Sequence, residues 1–373
     1  MAADTVRLWL GTSPDDARDA AAAGIWSADL DRASGRLDAP VLRARTSAPS
    51  FLALARDARS LFAVGETAPG AVTRFAIDAD GALTQVERVS SGGSGPCHLL
   101  AHPSGRALYV ANYLSGSVGV LPLRAGPDGA TELVGGVAQV FEHSGRGPVA
   151  DRQEGPHAHA TLLTPDGAVL LAFDLGTDEV RRYRVRPDGL LDADGVAVVM
   201  PPGTGPRHAA WGPGGHLYVT GELDGGLHVL AWDGRELLPV QVVPAAGDAA
   251  AAPDEEALPA HVVVHGDLVL TSVRGPDVVA GWRPADGGAR LEPAGVTPVG
   301  AGGSGAVWPR HFAVVTGPGK DWLVVAGQRS GRVVVRALDD VTAGRRPGEP
   351  TGAALLPAPT CVVAGRVALP DVR

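Results

Sequence analysis

Short runs in which apolar residues alternate with polar ones, or fill the run outright, cover this chain from end to end. Runs of that length and period predict β-strands. Clear cases are Ala107–Tyr113, Ser117–Leu123 and Glu132–Val140, then His216–Glu222, Gly226–Trp232 and Glu236–Val243. Trp322–Gln328 and Arg332–Leu338 have the same character. Between them stand Pro-Asp-Gly, Asp-Gly or Gly-Gly, the residues that tight hairpins prefer.

The runs repeat as a group. A proline, one or two residues, often a histidine, then an apolar run recurs at Pro49, Pro96, Pro156, Pro206, Pro259, Pro309 and Pro359, at intervals of 47, 60, 50, 53, 50 and 50 residues. Four antiparallel strands in about 50 residues describe one blade of a β-propeller. Six units are complete. The seventh has room for one strand, Thr360–Gly365, while three strands without a partner, Val6–Thr12, Gly24–Leu30 and Leu37–Ala44, stand at the other end of the chain. Together they make a blade and close a ring, which removes exposed sheet edges. The expected fold is all-β: one seven-bladed propeller domain, residues 1–373. A tandem of small β-domains leaves both terminal fragments unexplained.

Composition agrees. The chain has 51 glycines and 31 prolines yet is 45% hydrophobic, which suits many short strands and tight turns. A net charge of −9 and a single lysine, Lys320, argue against a nucleic-acid partner. No apolar stretch is long enough for a membrane helix, and Met1–Asp4 does not read as a signal peptide. Cys97 and Cys361 are too few for a disulfide framework. A cytoplasmic protein, monomeric or weakly homo-oligomeric, is expected. The acidic loop Asp248–Glu256 is read as solvated.

In a propeller the start of the first strand and the end of the second meet around the mouth of the central channel. Strand-one starts supply His98, His157 or His159, Arg207, His208, His261, Arg310 and His311; strand-two ends supply Glu66, Asn112, Asp174, Glu222, Arg274 and Gln328. Because the histidine repeats, most of these imidazoles are expected to hydrogen-bond a neighbouring blade's backbone, and Asn112 and Asp174 could serve only to cap turns. Arg207, Glu222 and Arg274 are harder to explain structurally, since charges near a channel are costly unless paired or used.

Three phrases, Gly95–Val118, Arg152–Val185 and Gly203–Leu223, resemble the seven-bladed lactonase family, whose best-known activity is that of a 6-phosphogluconolactonase. The fungal 3-carboxy-cis,cis-muconate lactonizing enzymes are related. The resemblance implies hydrolysis of an anionic sugar lactone without a cofactor or metal, and four catalytic residues: His159, Arg207, Glu222 and Arg274. A neutral imidazole suits a general base, so His159 takes that role, with His157 two residues away on the same strand face. Arg207 or Arg274 would stabilise the oxyanion while the other holds the substrate's anionic group. Glu222 would orient His159 or Arg207, or act as an acid. Candidate substrate contacts are His98, Asn112, Arg152, His157, Asp174, His208, Arg310 and Gln328, and Arg146 lies with Arg152 in the long insertion of repeat three.

Two other classes remain in view. A non-catalytic interaction propeller would show an aromatic or apolar rim, whereas aromatics are 5% of this chain. A metal-dependent lactonase would gather Glu66, Asn112, Asp174 and Glu222 around a cation, against which Arg207 and Arg274 weigh. A lactonizing or other-lactone member of the family is the third possibility.

Overall fold

The computed structural model describes residues 4–13, 23–249, 256–300, 307–343 and 349–365. Most of the acidic loop Asp248–Glu256, and the first three residues of the Met1–Asp4 segment, lie outside the described residues. Seven antiparallel sheets form the ring. Numbered from the repeat at Pro49, blades one to six run in chain order. Blade seven joins the C-terminal Pro359–Ala364 to Thr5–Thr12, Gly24–Asp31 and Val41–Arg45. The closing ladder pairs Leu8 with Ala364, Trp9 with Val363 and Leu10 with Val362.

The core explains why the ring must close. Among the described residues seven apolar clusters are buried, and each draws on two consecutive blades. Tyr109 and Val118 of blade two, for example, pack on Leu170 and Tyr183 of blade three. Blade seven is buried on both sides, with Leu8 and Leu10 against Val324 and Val333 of blade six, and Trp9 and Ile25 against Leu52 and Phe75 of blade one. A blade removed from the ring would expose two apolar faces.

Two expected strands differ in detail. The outer strand of blade two is split into Thr131–Leu133 and Gln139–Glu142, both paired with Ser117–Ala125. Gly135, at φ +68°, and Gly136 interrupt it. The third N-terminal strand starts at Val41, and Leu37 contributes only an isolated bridge to Leu30.

One irregularity recurs and decides where side chains go. The ladder between first and second strands slips just after the repeat's proline: between Pro96 and His98, Pro206 and Ala209, Pro259 and His261, and Pro309 and His311. In blade three the slip lies between Ala158 and Ala160. A β-bulge leaves one residue unpaired and re-aims its side chain. The residues in the bulges include Cys97, His159, Arg207 and Arg310.

Candidate active site

All four of those bulge residues face one cleft of about 260 Å³ at the mouth of the channel. Its wall is shared by six blades: Glu66 from blade one, Cys97 and Tyr113 from two, Arg152 and His159 from three, Arg207 and Glu222 from four, Leu258 and Arg274 from five, Trp308 and Arg310 from six. Four guanidinium groups against two carboxylates give the lining a formal charge of +2, a field that favours an anion.

Glu222 is the centre of the charge network. Arg152 Nη2 lies 2.5 Å from its Oε1, and Arg207 Nε and Arg274 Nη2 lie 2.7 and 2.8 Å from its Oε2. The Arg207 contact is one of charge alone, because its Nε–H makes no hydrogen bond. Burial alone would push the Glu222 carboxyl up; Arg274, then Arg207, outweigh it and hold it well below the usual carboxylate range. The arginines are themselves aimed by backbone carbonyls. Arg207 Nη1 donates to Ala260 O (2.5 Å), and Arg274 Nε to Leu258 O (3.1 Å).

Arg152 arrives on the insertion of blade three, which the fully buried Gln153 pins down. Gln153 Nε2 donates to Leu175 O (2.9 Å) and Asp178 Oδ1 (2.8 Å), and its Oε1 accepts from Val149 N. Asp178 also accepts from Gly203 N and Gly205 N, just before Arg207. The same device recurs two blades on, where Asp277 accepts from Val307 N and Trp308 N (2.6 and 2.8 Å) and sets Trp308 at φ +58°. The Trp308 ring carries Arg329 3.3 Å from its centroid on one approach and Arg274 at 5.5 Å on another.

His159 is buried between the cleft and a smaller void of about 10 Å³ beneath it. Burial, then the Arg207 charge, pull its pKa well below that of free imidazole, so it is neutral at neutral pH. Three lining atoms are shielded from solvent without a hydrogen-bond partner: His159 Nδ1, Arg207 Nε and Glu66 Oε2. Cys97 is no nucleophile, since burial, then Glu66, push its thiol far up.

A family model described as "Lactonase, 7-bladed beta-propeller" matches residues 7–364. The chain belongs to that family. The 6-phosphogluconolactonase of Bacillus subtilis is 31% identical over 344 residues, which is 91% of this chain and 93% of that protein. The 6-phosphogluconolactonase of Formosa agariphila is 26% identical over 307 residues, 78% of this chain and 81% of the other. The periplasmic gluconolactonase of Pseudomonas aeruginosa superposes with a TM-score of 0.84 at 29% identity, covering 97% of this chain and 99% of its own.

In this lactonase-family chain the four proposed catalytic residues share one cleft, and Arg152 and Arg310 join them. Other expected contacts are placed elsewhere. His98 and His311 each accept a backbone N–H of the next blade, from Thr161 (3.4 Å) and Val362 (3.3 Å), the structural role that a repeating histidine suggests. His208 and His261 meet Nδ1 to Nδ1 at 2.8 Å, and His261 stacks on His311 at 4.0 Å, so the imidazoles plug the channel below the cleft. His157 precedes the bulge and does not share a face with His159: it stacks on Tyr113, and its Nδ1 lies 2.9 Å from Tyr113 O. Period two fails there because the ladder slips.

Asn112 turns away to Ser91 O and Ser117 Oγ (both 3.3 Å). Asp174 caps the turn behind it, accepting from the backbone of His157, Gly176 and Thr177, while its other oxygen holds His143 at 2.5 Å. Gln328 accepts from Arg310 Nη1 (3.3 Å) and is absent from the cleft wall. Arg146 is exposed on the insertion. The four oxygen donors of the metal reading are therefore not assembled, and among the described residues no group of three His, Cys, Asp or Glu side chains could hold a metal ion. Tyr113 and Trp308 escaped the sequence reading because they stand one residue beyond the second strand's last polar position and one before the proline.

Proposed function

We propose that this chain hydrolyses an anionic sugar lactone, with 6-phosphogluconolactone the first candidate. The observation that carries this reading is the coincidence, in one 260 Å³ cleft, of four arginines with a buried neutral imidazole whose Nδ1 has no partner. The named activities of the relatives support the same substrate class. Unphosphorylated gluconolactone is the second reading, favoured by the likeness to the Pseudomonas enzyme.

In the proposed step a water oxygen bonds to the lactone carbonyl carbon while His159 takes the water's proton. Arg207 or Arg274, drawn into a site of low dielectric, faces the oxyanion. The carbon–ring-oxygen bond then breaks, and the proton passes from His159 to the departing ring oxygen, which leaves as a hydroxyl. Glu222 stays ionised throughout, so it serves as the counter-ion that spaces three guanidiniums and not as the acid. Hydrolysis in either order of protonation consumes one water and yields the hydroxy acid. The test is a turnover screen of 6-phosphogluconolactone, gluconolactone and muconolactones against a His159→Ala control. Hydrolysis of the sugar lactones that the control loses supports the reading. Turnover of muconolactones alone, or an unaffected control, rejects it.

A further inference from the structure

Glu66 has no part in the hydrolytic step. Its side chain stands on the blade-one wall of the cleft, close enough to Cys97 of blade two to disfavour that residue's thiolate. The second carboxylate of the cleft, Glu222, has both oxygens taken by arginine, whereas Glu66 Oε2 is closed off from solvent with no hydrogen-bond partner. A buried acceptor left unmade is expensive, the more so when it carries charge. The remaining charged lining residues, Arg152, Arg207, Arg274 and Arg310, only donate. Glu66 is thus a lining carboxylate that no arginine holds, in a funnel of donors, and it stands on the side of the wall where blades one and two contribute no arginine.

We infer that Glu66 accepts hydrogen bonds from hydroxyl groups of the bound lactone and selects polyhydroxylated lactones over those without hydroxyls. This rests on the reading of the cleft as a lactone site. A sugar lactone must find acceptors for its O–H groups once water is expelled, and arginines cannot supply them. A ligand without hydroxyls leaves Glu66 desolvated and unpaired, and one with extra carboxylates sets like charge against it. A site built around such an acceptor discriminates strongly, because the wrong ligand strands a buried polar group.

The experiment is calorimetric binding of two six-carbon acids, gluconate and the hydroxyl-free hexanoate, to the wild type, Glu66→Ala and Glu66→Gln. Loss of a hydrogen bond to a charged group is expected to weaken gluconate about ten- to a hundredfold relative to hexanoate in Glu66→Ala, with hexanoate itself bound no more weakly than by the wild type. Glu66→Gln, which keeps one acceptor oxygen, should recover part of the loss. The ratio of kcat/KM for gluconolactone to that for δ-valerolactone should collapse in parallel. A wild type without preference for gluconate, or a preference that survives in Glu66→Ala, overturns the inference. A wild type that prefers gluconate through Glu66 but hydrolyses no lactone sinks the hydrolytic reading and leaves this one standing.

Discussion

Arg152 Nη2 and Glu222 Oε1 lie 2.5 Å apart although 70 residues separate them, so the insertion of blade three completes a site built on blade four. Arg152 is the Glu222 partner that reaches solvent, its side chain 35% exposed against 3% for Arg207 and 6% for Arg274. Its removal leaves no buried hole but takes one positive charge from the funnel. Arg152→Ala should raise KM for a phosphorylated lactone about tenfold, a typical loss for one charge-assisted contact. An uncharged lactone should be affected less, and the melting temperature little. Steady-state kinetics on both substrates, with a thermal melt, check this.

Glu222→Gln should act on the fold as well as on turnover. It strips the counter-charge from Arg207 and Arg274, both buried, and leaving a buried charge uncompensated costs about 3–5 kcal/mol. Urea unfolding of the variant should show that loss at neutral pH. A variant as stable as the wild type would mean that backbone carbonyls alone suffice to hold the two guanidiniums.

The ring was legible in the sequence because each blade obeys the same local rules: period-two strands, glycine turns and a proline that marks entry to the innermost strand. The bulge was not. It sets the residue after Pro96, Pro206 or Pro309 toward the cleft and the histidine beside it into the channel plug, so Cys97 and Arg310 line the site while His98 and His311 bond the next blade. Period-two counting cannot see a slipped register, and it misplaced His157. Asn112 and Asp174 stood at the right strand end, and of the two roles the sequence left open for them the structure shows the local one, with hydrogen-bond partners inside their own blade and turn.

The channel plug should make the protein acid-labile. Burial, then Arg207, lower His98 and His311 to about 3, and burial first of all places His159, His208 and His261 well below 6.5. The unfolded chain therefore binds protons that the folded chain refuses. Stability is complete above pH 6.5 and is lost as the pH falls from there toward 3, by up to about 1.4 kcal/mol per pH unit for each such histidine. Denaturant unfolding at pH 7.5, 6 and 5 should show a steep decline, and His98→Leu should make it shallower by about one proton. A flat profile would mean that the plug is protonated in the native ring.

His159→Ala and Arg274→Ala should each lower kcat by about a hundredfold or more, the usual contribution of a general base or an oxyanion contact, without unfolding the ring. The pH dependence separates a base from a merely structural imidazole. Because burial and Arg207 keep His159 unprotonated well below the usual imidazole range, kcat/KM should stay level as the pH is lowered from 7.5 to 6. Arg207→Met removes the second of those two causes. The His159 pKa then rises toward its ordinary value, and an acid limb should enter the kcat/KM profile at higher pH than in the wild type. If Arg207→Met keeps the wild-type profile, burial alone holds the His159 pKa down; if His159→Ala keeps the wild-type kcat, His159 is not the group that takes the proton.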